Sequence, residues 1–232
     1  GKFYGGGGFE ARVTYANKRP GMVRQEMSFG GMTGVNAYDG KSGWKIEPWQ
    51  GKMDAEPLGE NEAKGMIEEA EFDDPLFNYR QKGNLVELVG TDQIEGTDVY
   101  KLKLTLAGNG DVRTYYLDAD SYVPIKYEVK RTVRGAESEF EVELGDYKEV
   151  NGWYLPFSFA IGAKGSSAAN KAQYTWERIE ANLPLDNGLF AKPVAGAPAR
   201  MNAGPSVAPA PAPTNRPSAS APPRRPTAAG TM

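Results

Sequence analysis

The sequence predicts a β-rich α+β fold built on one wide antiparallel sheet, and three observations carry that reading. Short runs of large apolar side chains alternate with polar ones at period two, with Tyr and Val frequent. Turn dipeptides such as Asp39-Gly40 and Asn151-Gly152 separate consecutive runs. Only the stretch 60–79 interrupts the alternation with helical spacing. About ten strands linked mostly by short turns form an antiparallel meander, and a sheet that wide is expected to curve strongly or close, with short helices covering its mouth.

The first strand sets Phe9, Ala11, Val13 and Tyr15 against Glu10, Arg12 and Thr14. A Pro-Gly turn at residues 18–21 leads into a strand over 22–29, followed by 34–38, the Asp39-Gly40 turn and a strand holding Trp44 and Ile46. In residues 60–72, Ala63, Met66, Ile67 and Ala70 recur at i, i+3, i+4 and i+7, one stripe of an amphipathic helix. A second short helix is expected with Asp74 as N-cap and Pro75 at its first position, carrying Leu76, Phe77 and Tyr79. Strands resume over 85–89, 99–106, 112–131 as a hairpin, 138–148, 153–161 and 172–179. In the hairpin, Arg113, Tyr115 and Leu117 face away from Val112, Thr114 and Tyr116, while Ile125, Tyr127 and Val129 alternate with Lys126, Glu128 and Lys130. An apolar face without an obvious catalytic residue either packs a core or holds an apolar ligand.

Composition narrows the function. The chain has neither Cys nor His, which excludes disulfides, thiolate zinc sites, Ser-His-Asp triads and HExxH helices. The net charge is -3; four arginines (Arg200, Arg216, Arg224 and Arg225) and no acidic residue follow Val194, so residues 1–193 carry -7. An acidic domain with interspersed basic residues argues against nucleic acid as a partner. Residues 194–232 are Pro- and Ala-rich without an aromatic residue and are expected to be a disordered tail after one domain over 1–193. No apolar run reaches the roughly 18 residues of a transmembrane helix, and no export signal is visible after Gly1.

Several turns and strand ends carry a family resemblance. They are the Tyr38-Asp39-Gly40 turn with Gly43-Trp44, then Asp74-Pro75-Leu76, Tyr116-Leu117-Asp118, Pro124-Ile125-Lys126 and Gly145-Asp146-Tyr147. Residues 179–193, ending in Phe190 and Pro193 at the spacing Phe-x-x-Pro, complete the set. In this order they resemble the outer-membrane lipoprotein-sorting proteins, the lipoprotein carriers of the Gram-negative periplasm, over most of residues 9–193. The resemblance implies a half-barrel: a strongly curved antiparallel sheet whose concave apolar face is covered by short helices and receives acyl chains. Members of the family begin with an export signal, a helix and one further strand. This chain starts at Gly1-Lys2-Phe3, near the first hairpin, and is expected to lack the helix and that strand.

The expected function is therefore non-catalytic: a periplasmic carrier or sensor that shields acyl chains of lipoproteins or other lipids, without cofactor or metal. It is expected to be a monomer that meets inner- and outer-membrane transport partners. The alternative is a structural or protein-interaction module of the envelope with a packed core and no ligand. Candidate lining residues are Met27, Phe29, Trp44 and Ile46 before the helices, and Met66, Ile67 and Phe77 on them. From the later strands come Leu102, Leu104, Tyr116, Ile125, Tyr127 and Val129. Other features read as structural. Residues 68–74 form a solvated acidic run with an N-cap. Asp118-Ala119-Asp120-Ser121 starts like a calcium loop but has Val123 where that loop needs Gly and Val129 where it needs Glu, so a local turn is expected. Gly5 to Gly8 lack the strand and helix of a phosphate loop and mark a hairpin or terminus.

Overall fold

The computed structural model describes residues 1–133 and 136–194. Among these, thirteen strands form one sheet. They are β1 (Lys2–Gly5), β2 (Phe9–Lys18), β3 (Met22–Phe29), β4 (Met32–Tyr38), β5 (Gly43–Glu47), β6 (Lys52–Pro57), β7 (Leu85–Ile94), β8 (Thr97–Thr105), β9 (Val112–Asp118), β10 (Pro124–Val133), β11 (Ala136–Val150), β12 (Trp153–Ala163) and β13 (Ala172–Thr175). A single α-helix, α1 (Glu60–Ala70), interrupts them. The spatial order is β6-β5-β4-β3-β2-β1-β13-β12-β11-β10-β9-β8-β7. The expected single meander is thus two meanders joined at the centre, where β1 pairs antiparallel with β13.

Three differences from the sequence reading have local causes. Lys2–Gly5 is a strand, and the glycines that follow make its hairpin to β2, with Gly7 and Gly8 at φ of 74° and 80°. Lys52–Pro57 is an edge strand too polar to show a period-two signal. The second helix does not form. Asp74 Oδ1 accepts the Leu76 N–H at 2.8 Å, as an N-cap would, but Asn78 takes φ of 53°, and residues 75–83 are successive turns. The Asp118 turn matches its reading: its Oδ1 accepts from Ser121 N at 2.7 Å and Asp120 N at 3.1 Å. The tail expected over 194–232 lies, apart from Val194, outside the described residues.

Away from the bulges, register and alternation assign the strand residues to a face. Val23, Gln25 and Met27 share a face with Tyr15 and Val13, then through Ala11, Phe3, Tyr174, Phe159 and Leu144 with Val142, Tyr127, Tyr115 and Leu102. Helix α1 lies on this face, with Met66 and Ala70 buried against Val23 beside Tyr38 and Leu58. Glu62 starts the helix by accepting the Gly59 N–H at 2.9 Å and binds Lys45 of β5 at 2.6 Å.

The sheet bends round the segment that crosses from β6 to β7. Adjacent helix residues Glu69 and Glu68 bond Gln25 of β3 and Arg131 of β10, the latter at 3.2 Å. Adjacent residues Asp73 and Asp74 bond Arg19, at the β2–β3 turn, at 2.5 and 2.6 Å and the Tyr115 hydroxyl of β9 at 2.9 Å. Each pair joins strands six positions apart in the order, about 29 Å along a flat sheet. Two neighbouring side chains standing above a flat sheet cannot span that distance, so this face is concave.

The outer face is polar over most of its width and apolar at one end. On β4 and β5 the alternation places Val35, Ala37, Trp44 and Ile46 outward. The chain returns from β13 to cover them. Phe190 is fully buried and its carbonyl accepts the Trp44 Nε1–H at 2.8 Å, the Leu189 carbonyl accepts from Arg24 at 3.0 Å, and Lys18 Nζ donates to Leu185 O at 2.6 Å. Further along, Glu141 and Lys171 are buried in an ion-pair network with Lys126 and Glu143.

Candidate functional site

The floor of the concave face is a run of aromatic rings contributed by strands far apart in sequence. Phe29, Phe9, Phe3, Tyr174 and Phe159 succeed one another with centroids 4.6, 5.9, 4.9 and 4.5 Å apart. Tyr15 and Trp176 extend it, at 5.0 Å from each other. The rings come together because β1 pairs with both β2 and β13 at the centre of the sheet. Phe29 is about half exposed, and the others are partly buried, packed on one another while retaining some accessible surface. Ile161, Val142 and Leu144 continue the apolar surface toward β11.

The roof is polar where it meets this floor. Glu69 is open to solvent on one side, yet burial by the surrounding walls pushes its carboxyl up from the usual range, more than its bond from Gln25 pulls it down. Burial likewise pushes up the hydroxyls of Tyr15, Tyr115, Tyr127 and Tyr174. Four phenols raised by the same cause mark a poorly solvated face. On the β9–β11 side the crossing segment leaves an open cleft of about 570 Å³, where Phe72, Val129 and Phe140 alternate with Asp74, Asp111 and Arg113. The Arg113 Nε is buried there without a hydrogen-bond partner.

The expected lining residues divide among several places. Met27, Phe29, Leu102, Leu104, Tyr127 and Val129 lie on the concave face. Leu104 is fully buried under the crossing segment and Val129 nearly so, which makes them wall rather than open surface. Met66 is part of the helix–sheet contact, while Ile67 and Phe77 are about half exposed on the crossing segment. Three residues require correction. Trp44 and Ile46 point to the outer face and lie with the C-terminal return, because the apolar set of β5 is out of phase with that of β2 and β3. Tyr116 also points outward, bonding Glu128 at 3.2 Å with Lys101 and Lys126 over its ring. Ile125 is the extra residue of a β-bulge between Pro124 and Lys126, so the hairpin alternation does not fix its face.

Of the aromatic run the sequence reading named only Phe29 as lining and missed Phe3, Phe9, Tyr15, Phe159, Tyr174 and Trp176. A signal for Phe159 was present, since Phe157, Phe159 and Ile161 alternate with Ser158, Ala160 and Gly162. No local pattern reveals that Phe3 and Tyr174 meet, because their contact depends on which strands close the centre of the sheet.

Among the described residues, no helix is long and apolar enough to cross a membrane. No family model matches the chain, and no curated protein sequence matches it. In structure it is similar to a LolA superfamily protein from Nitrosomonas europaea, with a TM-score of 0.52 and 14% identity over 82% of this chain and 86% of that chain. A DUF1329 family protein from Desulfovibrio piger gives 0.52 and 10% over the same shares. An outer membrane lipoprotein-sorting protein domain from Vibrio parahaemolyticus aligns at 0.49 and 14%, over 79% and 81%. Identities this low speak to architecture and not to activity. With one open antiparallel sheet and a helix across its concave face, the chain is similar in fold to the LolA superfamily protein from Nitrosomonas europaea and the DUF1329 family protein from Desulfovibrio piger.

Proposed function

We propose that the concave face binds acyl chains and that the protein is a non-catalytic carrier or sensor of lipoproteins or other lipids in the periplasm of a Gram-negative envelope. The observation that carries this reading is the run of contiguous, partly accessible aromatic rings on the face that the segment crosses. A packed core would cover those rings; a half-barrel that receives a chain leaves them open. Burial of each methylene contributes about 0.8 kcal/mol, so such a floor binds an alkyl chain without a polar contact at every carbon. The LolA-type fold of the solved neighbours supports the same reading at the level of architecture. Binding and release need no proton shuttle, so the absence of His and Cys costs the mechanism nothing. Titration with a fluorescent fatty acid, together with native mass spectrometry of protein purified from an envelope, tests it. Saturable one-to-one binding with competition by lipid is expected; protein that is always empty and never binds the probe would sink the proposal.

A further inference from the structure

We propose that the tip of the β11–β12 hairpin inserts into a zwitterionic lipid–water interface. Pairing of β10 with β11 begins at Glu143, and pairing of β13 with β12 ends at Ser158. Beyond those points the β11–β12 ladder continues alone, from Tyr147 opposite Pro156 to Val150 opposite Trp153. Those four pairs project about 13 Å as a two-stranded ribbon. At its end Trp153 is 69% exposed and Tyr154 64%. As successive strand residues they point to opposite faces of the ribbon.

That arrangement selects among partners. A recess on another protein buries an aromatic anchor on one face, inside a ring of surrounding contacts that exclude water. This ribbon carries an indole on one face and a phenol on the other, and among the described residues no strand pairs with either edge from Tyr147 to Pro156 to supply such a ring. Only a fluid covers both faces together. Trp and Tyr are also the side chains that settle at headgroup depth, with an apolar body and a polar tip. Residues 150–155 carry no charge, and the first ion back from the tip, Glu149 opposite Tyr154, is exposed and limits insertion to headgroup depth, where its carboxylate stays hydrated. The turn is Asn151-Gly152, both at positive φ, a tight closure that keeps the end narrow. The -7 charge of residues 1–193 disfavours an anionic surface and leaves a zwitterionic one. None of this depends on what the concave face binds.

The test is co-flotation of the full chain with phosphatidylcholine vesicles, with tryptophan emission as a second readout. The unaltered protein is expected to float and to shift its emission to the blue. Trp153→Ala combined with Tyr154→Ala is expected to lower partitioning at least about tenfold and abolish the shift while leaving the circular dichroism unchanged. Tyr122→Ala, which removes a similarly exposed aromatic from the β9–β10 turn, is expected to float normally. The proposal is overturned if the double variant floats as well as the unaltered protein. It is equally overturned if the unaltered protein never associates with phosphatidylcholine, which would make the tip a protein contact. Flotation that requires phosphatidylglycerol and survives the double substitution would assign binding to the arginines beyond Val194 and also overturn it.

Discussion

Replacing Phe190 with alanine tests whether the C-terminal return is a structural part of the sheet. The ring is fully buried on the outer face, and the Phe190 carbonyl holds the indole N–H of Trp44, itself buried. Truncating a buried Phe to Ala costs about 3–5 kcal/mol, depending on how far the site collapses. Here the return is a single strand of chain that can settle partway into the space, which favours the lower end, about 3 kcal/mol. For a domain of this size each kcal/mol moves the melting midpoint by about 2–4 °C, so a fall of about 6–12 °C is expected. Thermal melts and urea titrations measure it. The same variant, well below its midpoint, should bind a fluorescent fatty acid within about twofold of the unaltered protein, since Phe190 lies on the face opposite the aromatic floor. A loss under about 1 kcal/mol would refute the docked return. A drop in probe affinity while the variant is folded would refute the independence of the two faces.

Four further outcomes are expected. Phe159→Glu, which sets a charge in the middle of the floor, should weaken fatty-acid binding at least about tenfold with a smaller effect on the melt, read by probe titration and calorimetry. Tyr115→Phe removes the bond to the Asp74 carboxylate and should cost about 1.5–3 kcal/mol in urea denaturation. Gly34→Ala should destabilise the protein, because its Cβ would clash with the Trp49 ring; an unchanged melt would show that the indole does not rest there. Glu141 titrates at about 2 in the folded state, since Lys126 and Lys171 outweigh the burial that alone would raise it. Because the folded value is below the unfolded value of about 4.3, the stabilisation is complete above pH 4.3 and is lost as pH falls toward 2, on the order of 3 kcal/mol in all. Glu141→Gln should therefore flatten the melting midpoint against pH across that window.

Local signals made much of the sheet legible. The turns at Asp39-Gly40 and Asn151-Gly152, the period-two runs and the stripe through Met66 and Ala70 each express a constraint that neighbouring residues satisfy among themselves. The lining of the hollow was less legible, because it depends on register between distant strands. Trp44 resembles Phe29 as a strand aromatic, yet the register that couples Ala37 to Trp44 and to Arg24 sends it to the other face. Nothing within β5 records that choice. The failed second helix is an intermediate case: Asp74 and Pro75 are sound start signals, and Asp74 still caps a turn, but the Asp74 carboxylate also binds Tyr115 on the far side of the sheet.

The out-of-phase strands explain why the concave face can stay open. If β4 and β5 had followed β2 and β3, Val35, Ala37, Trp44 and Ile46 would face inward, beneath the start of α1. The helix would then pack on them, and the hollow would fill from that end. Turned outward, they need a cover of their own, which the Leu189–Phe190 return supplies. Inward they leave Gly34, Asn36 and Lys45, and Lys45 engages α1 through Glu62. Apolar burial therefore holds α1 mainly through Met66 and Ala70 on Val23, while the crossing segment meets β10 through Glu68 of the helix and β9 through Asp74 beyond it. Of these two, the Glu68–Arg131 pair is exposed to water and is worth far less than that burial, whereas the partly buried Asp74–Tyr115 bond is the stronger hold. The crossing segment is accordingly firm over β3, pinned to β9 at Asp74 and weakly held to β10 at Glu68, and under the proposed function an acyl chain would meet least resistance at the cleft bordered by Val129 and Phe140.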